Sequence, residues 1–160
     1  MLKDGLINKL DTTRVFFLNS TDVLEEEDSL FAPAEEMFSV AQQFAHTAQS
    51  NDWFLDGMLG NDGFDMDFEA HQEKVMAYTS LEKARQWLED SFAQAKDRIV
   101  ACNDEFLLER LAEGPIMGGV PRYIIIGALA DHCAHHRGSL AVYCRLIGKI
   151  PPMPYGEAPE

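Results

Sequence analysis

Hydrophobic residues recur along this chain at steps of three and four positions, which is the period of a helix with one buried face. The clearest repeat predicts a helix over residues 80–102, introduced by the capping pair Thr79 and Ser80. A similar repeat predicts a first helix over residues 2–23. The positions predicted to face the core are Leu2, Leu6, Leu10, Thr13, Phe17 and Leu24 for the first helix, and Leu81, Ala84, Leu88, Phe92, Ala95, Ile99 and Cys102 for the helix at 80–102.

Prolines and glycines delimit two further helices. Pro33, followed by Ala34-Glu35-Glu36, is typical of a helix start, because proline loses no hydrogen bond at the first helical position and acidic side chains favour the positive end of the helix dipole. We predict a helix from Pro33 to about Met58, with an apolar stripe at Met37, Val40, Ala41, Phe44, Ala48 and Leu55. A fourth helix is predicted from Pro121 to Ile147, where Gly148 supplies the cap.

Four helices of this length without strand alternation predict an all-α fold, a four-helix bundle, formed as a single domain over residues 1–160. Residues 60–79 and 103–120 are predicted to be long connections without a regular period, the second a crossover. The acidic run at residues 25–28 is predicted to be a solvated loop or helix end. Because the two connections are long, neighbouring helices can be parallel, and a simple up-down-up-down order is not required.

Acidic residues outnumber Lys and Arg by 27 to 13, which gives a formal net charge of −14. Such a charge repels phosphate backbones and anionic lipid surfaces, so we expect neither a nucleic-acid nor a membrane partner. No apolar run approaches the roughly 18 residues of a membrane span, and the N-terminal residues lack the pattern of a signal peptide. We therefore expect a cytoplasmic protein whose three cysteines are reduced and mostly buried.

Two histidines of the fourth predicted helix have the spacing of metal ligands. His132 and His136 are four residues apart, so their side chains project from one face of a helix about one turn apart. That face continues through Ile125, Leu129 and Tyr143, which predicts that both imidazoles point into the bundle. Two unpaired buried imidazoles are costly, and a metal ion that takes their lone pairs removes this cost.

The neighbours of these histidines exclude some alternatives. A zinc protease of the HExxH type needs a glutamate after the first histidine, and Cys133 occupies that position. Cys133, His135 and Asp131 each lie about 100° round the helix from an adjacent histidine, so none is favoured as a ligand of the same ion. Cys133 is predicted to be a buried structural cysteine.

A third histidine ligand must be His46 or His71, the two remaining histidines. His71 lies in the poorly patterned segment and is predicted to be exposed. His46 lies on the second predicted helix, with Gln42, Gln49, Ser50 and Trp53 rather than on its apolar stripe. A polar cavity beside the bundle would reconcile that position with a buried site, but periodicity alone does not choose between the two histidines.

The fourth-helix sequence resembles the DinB/YfiT-like superfamily. The resemblance rests on His132-Cys-Ala-His-His136-Arg137-Gly138, on the following Tyr-Cys-Arg-Leu-Ile-Gly, and on Pro33, His46 and Trp53 upstream. It implies a four-helix bundle with up-down-down-up connectivity and one divalent metal ion, zinc or nickel, held by His46, His132 and His136. The family's motif commonly has glutamine where this chain has Ser139, which leaves substrate or dimer contacts at that position undefined.

The resemblance also implies a function. Characterised members of the superfamily that this chain resembles are metal-dependent transferases and isomerases that use bacillithiol, mycothiol or glutathione. We therefore expect a metal-dependent thiol S-transferase whose partners are a small-molecule thiol and an electrophile, with Arg137 or Tyr143 as candidates to orient the thiol.

Two alternatives remain open. One is a metal-dependent hydrolase, for which Asp131 is the nearest carboxylate along the chain. The other is a non-catalytic helical module whose histidines are structural. Gly127 and Gly138 would allow close approach of two helix backbones, compatible with a homodimer.

Overall fold

Six α-helices make up the main regular structure of residues 1–156, the part of the chain that the computed structural model describes. They are α1 (Leu2–Thr21), α2 (Val40–Leu59), α3 (Phe68–Met76), α4 (Leu81–Ala101), α5 (Asp104–Leu108) and α6 (Ile125–Leu146). The four long helices α1, α2, α4 and α6 pack into a bundle. This confirms the predicted all-α four-helix fold. Residues 157–160, which the single-domain prediction also covers, lie outside the described residues.

The directions of the helices follow from the side chains that join them. Asp52 of α2 accepts a hydrogen bond from Trp87 of α4, and Asp56, one turn later, pairs with Arg98, also later in α4. Residue numbers rise in the same direction along both helices, so α2 and α4 are parallel to one another. The long segment 60–80 between them makes this arrangement possible.

The remaining pairs of long helices fix the topology. Arg14 and Asp11 of α1 pair with Glu89 and Lys96 of α4, so residue numbers fall on α1 as they rise on α4. These two helices are therefore antiparallel. Likewise, Gln43 of α2 contacts Tyr143 of α6, and Asn51 contacts Cys133. The bundle has the up-down-down-up order expected from the resemblance.

The predicted helix faces form the core. Of the core positions predicted for the first helix and for the helix at 80–102, those buried in the structure are Leu6, Leu10, Thr13, Phe17, Leu24, Leu81, Ala84, Leu88, Phe92, Ala95 and Ile99. Phe17 of α1 meets Phe44 of α2 edge to face, with ring centroids 5.2 Å apart. Full burial of one such side chain stabilises the fold by about 1.5–3 kcal/mol, so apolar packing holds the four helices together.

The start of α2 corrects the sequence prediction. The helix begins at Val40, not at Pro33, because Ser39 and Gln42 form a reciprocal capping box: the Ser39 hydroxyl accepts from the Gln42 amide, and the Gln42 side chain accepts from the Ser39 amide. Residues 33–37 form turns and bends, and Met37 is exposed. The capping box outweighs proline here because it satisfies two amides that a helix start leaves unpaired.

Both connections contain helices that periodicity did not predict. α3 lies within residues 60–79 and buries only Val75, so its apolar face is too short to give a repeat. α5 lies within residues 103–120, capped by the Asn103 side chain. The acidic run at 25–28 includes a single 3-10 turn, Glu26–Asp28.

The last bundle helix agrees with the prediction at both ends. A 3-10 turn, Arg122–Ile124, follows Pro121 and leads directly into α6. Gly148 has a φ of +81°, and the amide of Lys149 bonds back to the carbonyl of Cys144, which ends the helix. No helix within residues 1–156 combines the length and the apolar content that crossing a membrane requires.

Candidate metal centre

The antiparallel packing of α2 against α6 brings three histidine side chains together. The ring centroid of His46 lies 5.2 Å from that of His132 and 4.8 Å from that of His136, and the latter two are 4.4 Å apart. One nitrogen from each ring lies within 4.8 Å of the other two nitrogens. The structure thus brings together the three histidines that the resemblance implied, and His71 is not among them.

The spacing of the two α6 imidazoles fits a shared cation. Their Nε2 atoms are 3.2 Å apart. Two nitrogens bound tetrahedrally to one zinc ion, each at about 2.05 Å, lie about 3.3 Å from one another. The pair therefore needs little rearrangement to act as two ligands of one ion.

Gln43 determines which nitrogen of His136 faces the cluster. The Gln43 side-chain oxygen lies 2.6 Å from His136 Nδ1, while the Gln43 amide nitrogen donates to the Tyr143 hydroxyl at 3.2 Å. Because an amide oxygen only accepts, Nδ1 carries the proton and donates it to Gln43. The Nε2 lone pair of His136 is then left for a metal ion, and its ring orientation is fixed in the way ligating histidines require.

Tyr143 supports this arrangement from behind. It is 2% exposed, and its hydroxyl donates to the carbonyl of Phe38 at 2.9 Å while accepting from Gln43. Both hydrogen bonds connect it to α2 and the segment before α2. Tyr143 therefore positions Gln43, and Gln43 in turn contacts His136.

His132 has a nitrogen that the protein does not satisfy. Its Nδ1 is buried and has no hydrogen-bond partner within residues 1–156. A buried polar atom without a partner is costly. An ion bound at His132 Nε2 would leave the proton on Nδ1 without an acceptor, so the convergence of the three rings, and not this atom, is what favours a cation.

Burial keeps all three imidazoles neutral. Burial, together with the smaller effect of the neighbouring histidines, lowers the pKa of His136 to about 3 and that of His132 to about 4. The pKa of His46 is also lowered, mainly by burial and then by His135. Neutral imidazole is the form that binds metals, so the ligand atoms are ready at neutral pH.

The other polar residues of α6 considered from the sequence are not part of the cluster, although the ring of His135 lies 4.9 Å from that of His136. Arg137 packs over the ring of Phe16 on α1, with 5.9 Å between the guanidinium carbon and the ring centroid. Asp131 and His135 are exposed. Cys133 is buried, and its thiol donates to Asn51 at 3.3 Å. Burial raises the pKa of Cys133 to about 12, so its thiol is neutral and structural.

A cavity opens beside the histidine cluster. Its volume is about 290 Å³, and α2, α3 and the segment before α2 supply most of its wall. The lining residues are Phe38, His46, Gln49, Ser50, Trp53, Phe68, His71, Gln72 and His132. This is the polar cavity that explains why His46 shares a helix face with polar residues and yet belongs to a buried site.

His71 is the cavity residue that sequence analysis placed wrongly. It lies on α3 and is half-buried, with Nε2 located 3.2 Å from a carboxylate oxygen of Asp65, although without the alignment of a hydrogen bond. The usable signal was the Asp67 cap, which accepts from the Ala70 amide and is followed by Phe68, His71 and Val75 at helical spacing. This pattern was too short to stand out.

Comparison with known proteins agrees with this fold. The family model of the DinB superfamily matches residues 9–140. YfiT from Bacillus subtilis, described as a probable metal-dependent hydrolase with an unusual four-helix bundle topology, superimposes with a TM-score of 0.70 at 15% identity, over 92% of this chain and 88% of that one.

Two other solved structures are similar. A DinB-like protein from Bacillus cereus has a TM-score of 0.71 at 20% identity, over 93% of this chain and 95% of its own. A protein from Streptococcus pneumoniae has a TM-score of 0.71 at 15% identity, over 91% of both chains. Identities this low support the likeness of fold alone. No curated protein matches the sequence. The family match spans most of the chain and includes all three clustered histidines, so this protein belongs to the DinB superfamily.

Proposed function

We propose that this protein is a metal-dependent enzyme that transfers a low-molecular-weight thiol to an electrophilic substrate. In this proposal His46, His132 and His136 hold one divalent ion, and the adjoining cavity receives the substrate. The observation that carries the proposal is the convergence of three neutral imidazoles at the edge of an open cavity.

The donor set suits a catalytic ion. Neutral imidazole is a good ligand for zinc and nickel, the two ions we propose. Structural zinc sites have four protein ligands, whereas catalytic sites commonly have three and leave a position for substrate. When bound, such an ion would supply a Lewis acid that lowers the pKa of a thiol or water and so generates the nucleophile.

The chain's own residues supply orientation and enclosure. Gln43 holds the proton on His136 Nδ1, and Tyr143 holds Gln43. The aromatic side chains of Phe38, Trp53 and Phe68 cover part of the cavity and limit access of water to it. Reactants held beside the imidazoles gain the rate advantage of fixed proximity.

Hydrolysis is the second candidate, and one feature of the cavity favours it. His71 with Asp65 beside it is the kind of pair that accepts a proton from water. YfiT from Bacillus subtilis, which has a similar fold, is described as a probable metal-dependent hydrolase. That description is a second reason to consider hydrolysis for this protein. The two candidates differ in the nucleophile, which is a thiol in one and water in the other.

We also propose that the protein forms a homodimer through the outer face of α6. Gly127 and Gly138 leave open space where a Cβ atom would stand, with no atom within 4 Å. A partner helix could therefore approach this face closely. Gly127 also borders an apolar groove shared with Leu6 of α1 and Ile126.

The first prediction concerns metal content. We expect reconstituted and desalted protein to retain close to one zinc or nickel ion per chain. His132→Ala should lose the ion because it removes one of three ligands. His135→Ala, which removes an exposed histidine next to the cluster, is the matched control and should retain it. Elemental analysis measures all three proteins, and equal metal content in both variants would favour the non-catalytic module.

The second prediction concerns Gln43. Gln43→Leu leaves His136 Nδ1 without an acceptor, so the ring loses its fixed tautomer and orientation. We expect the metal affinity to fall by about 10–100-fold, the usual effect of removing such a partner. Gln43→Glu keeps an acceptor oxygen and should retain most of the affinity. Competition with a chromophoric chelator measures both, and similar affinities in the two variants would argue against this role.

The third prediction concerns pH. Because burial lowers the histidine pKa values, to about 4 for His132 and about 3 for His136, protons compete with the metal ion only in acid. We expect the metal affinity to change by less than about threefold between pH 8 and pH 6 and to weaken as the pH falls towards 4. Ligands with the ordinary histidine pKa of about 6.5 would lose much more affinity by pH 6. Calorimetric titration at several pH values distinguishes the two.

The fourth prediction concerns activity. We expect the metal-loaded protein to accelerate conjugation of a thiol with 1-chloro-2,4-dinitrobenzene, and His132→Ala to reduce the rate to that of the uncatalysed reaction. Bacillithiol, mycothiol and glutathione are compared, with a panel of esters and amides assayed in parallel. Turnover of esters or amides without thiol would replace transfer by hydrolysis. Activity that persists in the His132→Ala protein would contradict both.

A further inference from the structure

Two buried polar side chains in the cavity wall have no protein partner. Gln49 is 8% exposed and Ser50 is 6% exposed, and both line the cavity beside His46. No hydrogen bond formed within residues 1–156 involves either side chain. Neither side chain is among those of the described residues with a fully enclosed, unpartnered polar atom, so the amide and the hydroxyl are open to the cavity and free to hydrogen-bond a ligand.

The rest of the wall is largely aromatic. Phe38, Trp53 and Phe68 line the same cavity, and Phe68 is 52% exposed although its side chain is apolar. Trp53 uses its indole N–H to bond the carbonyl of Asp65 at 2.7 Å, so its ring contributes apolar surface rather than a donor. The aromatic side chains of this wall can pack against the flat ring of a ligand. The volume of about 290 Å³ limits such a ligand to a small molecule.

Charge restricts the ligand further. The nine residues that line the cavity include no Lys, Arg, Asp or Glu. Asp65 lies beside His71 and Trp53, two of the lining residues, in a chain with a net charge of −14. In the proposed reaction the thiol takes the open position of the ion, so a carboxylate on the electrophile would lose its hydration without gaining a cationic partner from the protein.

We propose that this cavity is the subsite for the electrophile, and that it takes a small, uncharged aromatic molecule with a carbonyl or amide group. The ring packs against Trp53 and Phe68, and Gln49 and Ser50 hydrogen-bond the polar group. This inference rests on the proposed function, since it names the substrate class of the same site. It also makes the side chains of α2 and α3, rather than the metal ligands, the source of specificity.

The test compares two ligands that differ in charge and little in size, 2-naphthamide and 2-naphthoate. Metal-free protein is titrated by calorimetry at pH 7.5, so that a carboxylate cannot gain affinity by binding an ion. We expect saturable binding of 2-naphthamide with one site per chain, and binding of 2-naphthoate at least about tenfold weaker. Equal or tighter binding of the carboxylate would overturn the charge argument.

Variants locate the binding. Phe68→Ala should weaken binding of 2-naphthamide about tenfold because it removes a ring from the wall. Met76→Ala removes another exposed apolar side chain of α3 that does not line the cavity, and should leave binding unchanged. Gln49→Leu should weaken 2-naphthamide and spare 2-methylnaphthalene, which has no polar group. Equal effects of Phe68→Ala and Met76→Ala would contradict the assignment.

Metal content, measured on portions of the same protein that have been reconstituted with zinc or nickel and desalted, separates this inference from the proposed function. Protein that binds the amide but no metal would support the subsite and overturn the metal-dependent enzyme. Protein that binds one metal ion but shows no saturable binding of 2-naphthamide would leave the enzyme proposal standing and overturn the subsite. Absence of both would overturn both.

Discussion

The antiparallel contact between α2 and α6 is the interaction on which the candidate site depends. It places His46 opposite His132 and His136, and it places Gln43 where one amide reaches both His136 and Tyr143. A shift of either helix by one residue would rotate its side chains by about 100° and separate these groups. Apolar packing in the bundle core therefore sets the geometry of a polar cluster.

Much of the fold was predictable because its helices are long and one face of each is apolar. The core positions of α1 and α4 and the glycine that ends α6 follow from local sequence. The beginning of α2 was predicted wrongly, since Pro33 and the Ser39–Gln42 capping box are both valid start signals and only the context of the chain selects one. Short helices such as α3 escape periodicity because they bury too few residues to repeat.

The site was predictable in part for a different reason. His132 and His136 belong to one helix, so their proximity is a local property that spacing reveals. His46 approaches them only through the tertiary fold, and local sequence left it equal to His71; the family resemblance supplied the choice. The polar stripe of α2 was visible in the sequence, but a stripe of Gln, Ser and His reads equally well as solvent-exposed surface until α3 is seen to lie beside it.

The parallel arrangement of α2 and α4 has a consequence for how such a protein can change. Two parallel helices of this length require the chain to return about 30 Å from the end of one to the start of the other. Residues 60–80 make that return, and α3 within them contributes one buried residue, Val75, to the core. Most side chains of this segment are therefore not part of the buried core. Substitutions there can remodel one wall of the cavity while His46, His132 and His136, which lie on α2 and α6, keep their positions.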